Sequence, residues 1–86
     1  MVISKINAIY QFIKNHGEYV EGCGHMVDRL EYKDFTAMVG DGGYSIQISG
    51  PNFAAWADLG CQMFGFFRGG EEELKQFIME YSLTVY

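Results

Sequence analysis

Apolar residues change their spacing twice along this chain, and the changes divide it into elements. Ile6, Ile9, Tyr10 and Ile13 recur at the i, i+3, i+4, i+7 interval of one helical face, with Lys5, Asn7, Gln11 and Lys14 around the rest of the cylinder. The spacing predicts a first helix over about Lys5 to His16, with Ser4 as its N-cap and Gly17 closing its last turn in the left-handed conformation. From Glu18 to Gly50 the period drops to two, and β-branched and aromatic residues alternate between Gly and Asp punctuation. Leu30 and Tyr32 share one parity while Phe35, Ala37 and Val39 share the other, so a turn or bulge near Lys33-Asp34 must reset the face. Tyr44, Ile46 and Ile48 form the cleanest alternating strand, joined to the previous one through the Gly40-Asp41-Gly42-Gly43 hairpin. The middle therefore predicts a three-stranded antiparallel meander, with Tyr19-Val20 as a short extra strand.

Gly50-Pro51-Asn52 signals a second helix, because proline at a first helical position loses no hydrogen bond. At 100° per residue Phe53, Trp56, Ala57, Gly60, Met63, Phe64 and Phe67 gather on one broad face, which predicts a helix to about Phe67 that lids the sheet, with Trp56 in the core. Arg68-Gly69-Gly70 ends it. Glu71, Glu72 and Glu73 then fill the first turn of a third helix, where negative charge complements the macrodipole, and Leu74, Phe77, Ile78 and Tyr81 are its buried stripe. The tail Leu83-Thr84-Val85-Tyr86 has β character suited to docking on a sheet edge. The expected fold class is α+β: a helix, a three-stranded antiparallel meander, then two helices packed on one face of the sheet.

Composition sets limits on function. Eighty-six residues, 49% hydrophobic and 20% charged, make residues 1–86 one compact domain with enough core to fold unaided. A net charge of -5 argues against direct contact with a nucleic acid backbone. The chain has no apolar run long enough to span a bilayer and no signal-peptide core near Met1 to His16, so the expectation is a soluble cytoplasmic protein without a membrane partner. With only Cys23 and Cys61 present, the expected state is two reduced thiols, a single bridge between them being the alternative.

Few residues have the spacing that chemistry requires. Gly22-Cys23-Gly24-His25 places an imidazole two residues from a thiol between glycines, but no third orienting group is identifiable, and an ordinary loop is the better reading. His16, Cys23, His25 and Cys61 lack the paired C-x2-C knuckles of a zinc site, and Asp41 stands without the alternating oxygen ligands of a calcium loop. Neither glycine-rich stretch continues into a phosphate-binding fingerprint. The sequence therefore predicts no catalytic residue, no metal and no cofactor.

Two features point to partners instead. Between Phe53 and Phe67 eleven of fifteen residues are apolar, two are Gly, and only Asp58 and Gln62 are polar, which leaves apolar surface over for self-association, including a homodimer. From Glu18 to Asp41 six acids, Glu18, Glu21, Asp28, Glu31, Asp34 and Asp41, face two bases, Arg29 and Lys33. The expected solvent side of the sheet is acidic, as a surface imitating a phosphate track would be.

In element order, small size and acidity, the chain resembles small phage anti-CRISPR proteins that block type II RNA-guided nucleases. The likeness covers nearly the whole chain but transfers no motif residue by residue. It implies a stoichiometric, non-enzymatic inhibitor that mimics DNA against a basic nucleic-acid-binding nuclease of the host, with those six acids as the partner-binding residues. The alternative expectation is a self-associating structural or adaptor subunit that uses the aromatic-rich segment from Phe53 to Phe67.

Overall fold

A computed structural model describes residues 2–23 and 26–85; the side chains of residues 21–23, 26, 27 and 41 lie outside that description. Helix α1 spans Val2–His16, strands β1 to β6 span Glu18–Cys23, Met26–Tyr32, Phe35–Gly40, Ser45–Ser49, Ala54–Asp58 and Met63–Arg68, and helix α2 spans Glu71–Glu80. A short 3-10 turn, Asp41–Gly43, separates β3 from β4. The strands form one six-stranded antiparallel sheet in chain order, β1-β2-β3-β4-β5-β6.

The α1 stripe is as its spacing predicts, with Ile3, Ile6, Ile9, Tyr10 and Ile13 buried. The helix starts earlier than expected, so Ser4 lies inside it rather than at its cap. Gly17 ends it for a different reason from the expected one. Gly17 is not among the glycines at positive φ. A Cβ at this position would instead collide with the carbonyl oxygen of Glu31 in β2 and sit 2.6 Å from that of Ile13. Glycine there lets the helix end pass close against the sheet.

Alternation sorts the sheet into two faces. One row runs Leu30, Ala37, Ile48, Ala55, Phe66 across β2 to β6, and a parallel row runs Asp28, Val39, Ile46, Ala57, Phe64. This face meets Ile6, Ile9 and Ile13 of α1 and Leu74 and Phe77 of α2 in a single core. The small side chains of Ala37, Ala55 and Ala57, all essentially without solvent exposure, allow the helix backbone to come close. The expected change of parity occurs at a two-residue turn between Tyr32 and Phe35, where Lys33 takes a φ of 54°. Gly42 and Gly43, at φ of 68° and 100°, supply the left-handed residues of the next turn.

The three-stranded meander and the second helix are overturned. Pro51 to Phe67 does not form a helix: Ala54–Asp58 and Met63–Arg68 are a β-hairpin that extends the meander. Burial along Ala54 to Asp58 alternates strictly, with Ala55 and Ala57 covered and Ala54, Trp56 and Asp58 partly open. Alanine hides that period, because it counts as apolar on whichever face it stands. The turn Leu59 to Gln62 is fixed by side chains: the Cys61 backbone N–H donates to Asp58 Oδ1 at 2.9 Å, and Gln62 Nε2 donates to the Leu59 carbonyl at 2.7 Å. Trp56, expected in the core, stands on the face away from the helices.

Helix α2 begins where the three glutamates predict. Glu73 Oε2 accepts the Gly70 N–H at 2.9 Å, and Glu71 pairs with Lys5 of α1 at 2.7 Å. The tail departs from its expectation: Leu83 donates its N–H to the Ile78 carbonyl at 3.0 Å and packs on the core, and no strand forms from Leu83 to Val85.

Candidate protein-binding surface

Because both helices cover the same face, the opposite face of the sheet is built from what the strands point outward. Its central row is Arg29, Met38, Gln47, Trp56, Gly65, flanked by Glu31, Thr36, Ser49, Ala54, Arg68. Trp56 anchors this surface. A Cβ at Gly65 would lie 2.5 Å from Trp56 Nε1 and 2.7 Å from Cε2, so the indole lies flat over the glycine of the neighbouring strand. The missing side chain at Gly65 provides the space for it, and the indole in turn protects the backbone that glycine leaves bare.

Phe67 rises beside the indole. The pairing of β5 with β6 is irregular at Ala54/Ala55, opposite Phe66 and Arg68, and Phe67 is the extra residue of that bulge. It is 65% exposed and borders two depressions on this face. One, about 350 Å³, has Gln47, Trp56 and Asp58 on its other walls. The second, about 100 Å³, is lined by Thr36, Met38, Gln47 and Ala54. Both are shallow, with polar side chains set among apolar ones.

The six predicted acids are not brought together on one side of the sheet. Glu18 and Glu31 are register partners on the outer face, and Arg29 Nη2 bonds Glu31 Oε1 at 3.0 Å. Glu21 and Asp28 are register partners on the opposite parity, that of the helix-covered face. Asp34 belongs to the β2–β3 turn, and Asp41 to the turn at the other end of β3. The side chains of Glu21 and Asp41 lie outside the described residues. Asp28 faces inward enough to act on Tyr10, whose phenol is raised above its ordinary pKa first by burial and then by the charge of Asp28. At the α1–α2 contact, the hydrogen bond and charge of Lys5 hold the Glu71 carboxyl below the usual range.

Of the thiol and zinc candidates, His25 and the Cys23 side chain fall outside the described residues. Cys61 is a free, exposed thiol in the β5–β6 turn. His16 closes α1 beside Tyr32, at the other end of the strands, and its ring stacks on Phe12 with centroids 4.2 Å apart. Among the described residues no three His, Cys, Asp or Glu side chains converge as metal ligands.

The surface that sequence reasoning missed is therefore the outer side of β3 to β6. Its signals were present, in the aromatic run Phe64 to Phe67 and in the glycine at 65, but they were assigned to a helix. Among the described residues, no helix is long and apolar enough to cross a membrane. Comparison of the chain with protein-family models, with curated proteins and with solved structures found no match.

Proposed function

We propose that this chain is a non-enzymatic protein-binding domain that docks a basic partner protein on the helix-free face of its sheet. The observation that carries the reading is the Trp56–Phe67 patch: a flat indole, an exposed phenylalanine and Met38 around two shallow depressions, with the folded core complete on the other side. Burying a phenylalanine that starts mostly exposed contributes on the order of 1–2 kcal/mol, and Trp is enriched among the residues that dominate interface energies. On the β1–β2 side of this apolar centre stand Glu18 and the Arg29–Glu31 ion pair, a polar rim with one net negative charge. In a molecule of net charge -5, that side favours a partner whose matching rim is basic.

A nucleic-acid-handling protein of the host has that charge, and binding of this kind inhibits by occupancy. The resemblance to anti-CRISPR proteins contributes less than the surface does. Its element order included a helix that the chain does not form, and the six acids do not make one continuous track. Of that set, Glu31 adjoins the proposed surface and Glu18 stands one strand beyond it on the same face.

The test is affinity capture from a host lysate in parallel with three baits: the wild type, Met38→Lys and Glu18→Lys. The expected result is a basic protein retained by the wild type, released as salt rises, and lost with Met38→Lys while thermal stability is kept. Retention indifferent to Met38→Lys overturns the reading.

A further inference from the structure

We infer that β6 is a self-pairing edge, and that two copies of this chain join there, antiparallel about a twofold axis through Gly65, to make one twelve-stranded sheet. The inference concerns the rim of the sheet. It adds to the face-docking reading; Phe67 belongs to both, so Met38→Lys tests the face alone and Met63→Lys the edge alone.

The two rims of the meander are unlike. Strand β1 has glutamates at 18 and 21 along its length, so copies meeting there would bring like charges together. Strand β6 pairs with β5 alone among the described residues, which leaves the N–H and C=O groups along its far side as a template for another strand. Natural edges are usually guarded by lysine, proline or an inward charge. Met63, Phe64, Gly65, Phe66 and Phe67 carry none of these, and the one irregularity of the strand is the bulge at Phe67, near its end. The single charge, Arg68, is turned back onto the carbonyls of Gly50 and Phe53. Met63, Phe64 and Phe67 are 57%, 42% and 65% exposed, which makes this short strand the densest site of exposed large apolar side chains described in the chain.

Symmetry selects a second copy as the occupant. At about 4.8 Å between strands, β6 lies roughly 24 Å from Glu18 on β1, about three screening lengths at physiological ionic strength. The acids near the edge are Asp58, the register partner of Met63, whose Oδ1 accepts the Cys61 N–H, and Glu71 to Glu73, which open α2 beyond Arg68. The strand is also self-complementary in one register. With Gly65 on the axis, Met63 stands opposite Phe67 on the outer face, and Phe64 stands opposite Phe66 on the helix face. A slip of the axis to Phe66 sets Phe64 against Arg68 instead. Next to the axis the outer face carries Trp56 from each copy, lying over its own Gly65.

The experiment is sedimentation of the full chain across a concentration series, together with Met63→Lys, Phe67→Glu, an equimolar mixture of the two, and Met38→Lys. Far-ultraviolet circular dichroism and the fluorescence of the single tryptophan check that each is folded. The wild type is expected to pass from monomer to dimer as concentration rises, and each edge variant to remain monomeric alone. Their mixture should recover the dimer, because the lysine introduced in one copy then faces the glutamate introduced in the other. Met38→Lys should still dimerise, although it has lost the partner. A wild type that stays monomeric at every concentration overturns the inference and leaves the docking face untouched. A dimer that survives both edge variants but is lost with Met38→Lys overturns it as well, in favour of face-to-face stacking.

Discussion

At the scale of single residues, glycines carry the most information, and for reasons that differ from site to site. At Gly17 an added methyl would meet two backbone carbonyl oxygens, which cannot rotate away. Gly17→Ala is therefore expected to cost on the order of 2–3 kcal/mol in urea unfolding, at the upper end for overpacking. At Gly65 the obstacle is a side chain, so Gly65→Ala should cost less, about 1–2 kcal/mol, and should shift Trp56 emission to the red as the indole is lifted into water. A gain in stability at Gly65 with unchanged emission would show that the indole does not rest there. None of this was legible beforehand, because the obstruction depends on Glu31 and Trp56, which the fold brings up from other parts of the chain. Tyr10 gives a pH effect of definite sign. Its phenol titrates above the ordinary value near 10 in the folded state, so folding favours the neutral form. That contribution is intact below pH 10 or so and is lost as the pH climbs through the higher folded value. Tyr10→Phe should flatten the alkaline fall in stability, measured by denaturant titration at a series of alkaline pH values.

At the scale of elements, what could be read depended on how clearly polar residues mark the period. The α1 stripe was legible because Lys5, Asn7, Gln11 and Lys14 interrupt it at helical spacing, and β4 because Ser45, Gln47 and Ser49 interrupt it at strand spacing. The segment from Phe53 to Phe67 offers only Asp58, the last residue of β5, and Gln62, in the turn that follows. Two glycines inside a helix, at about 1 kcal/mol each against alanine, and the aromatic run after Met63 were the physical signals for strands. The alternation can be tested directly. Ala54→Lys should leave the melting temperature nearly unchanged, whereas Ala55→Lys puts a charge into a site with no exposure and should unfold the domain. Equal tolerance at both positions would contradict the strand.

At the scale of the whole molecule, the sheet separates a face that folds the protein from a face available to others. The acidity of the chain was correctly counted from its sequence, but its distribution was not, since strand parity sends Glu18 and Glu31 to one side and the Glu21 and Asp28 register positions to the other. The outer face could not be foreseen either, because its centre lies on a hairpin that read as a helix. One consequence concerns the Glu18–Glu31 pair. Like charges opposite one another in a sheet are unfavourable, so Glu18→Lys is expected to raise stability by about 0.2–1 kcal/mol in thermal or urea unfolding while weakening capture of a basic partner. Stability and binding moving in the same direction would remove the acidic flank from the proposed surface.

Every strand of this sheet is hydrogen-bonded to its predecessor in the chain. During synthesis, then, each new ribbon finds its neighbour already outside the ribosome, and the sheet grows without waiting for distant sequence. The first helix has the opposite experience. Its isoleucine stripe precedes the whole sheet, begins to be covered when β2 and β3 bring Leu30, Ala37 and Val39, and is closed only when β4, β5 and α2 add their own core residues, so it stays partly open for most of synthesis.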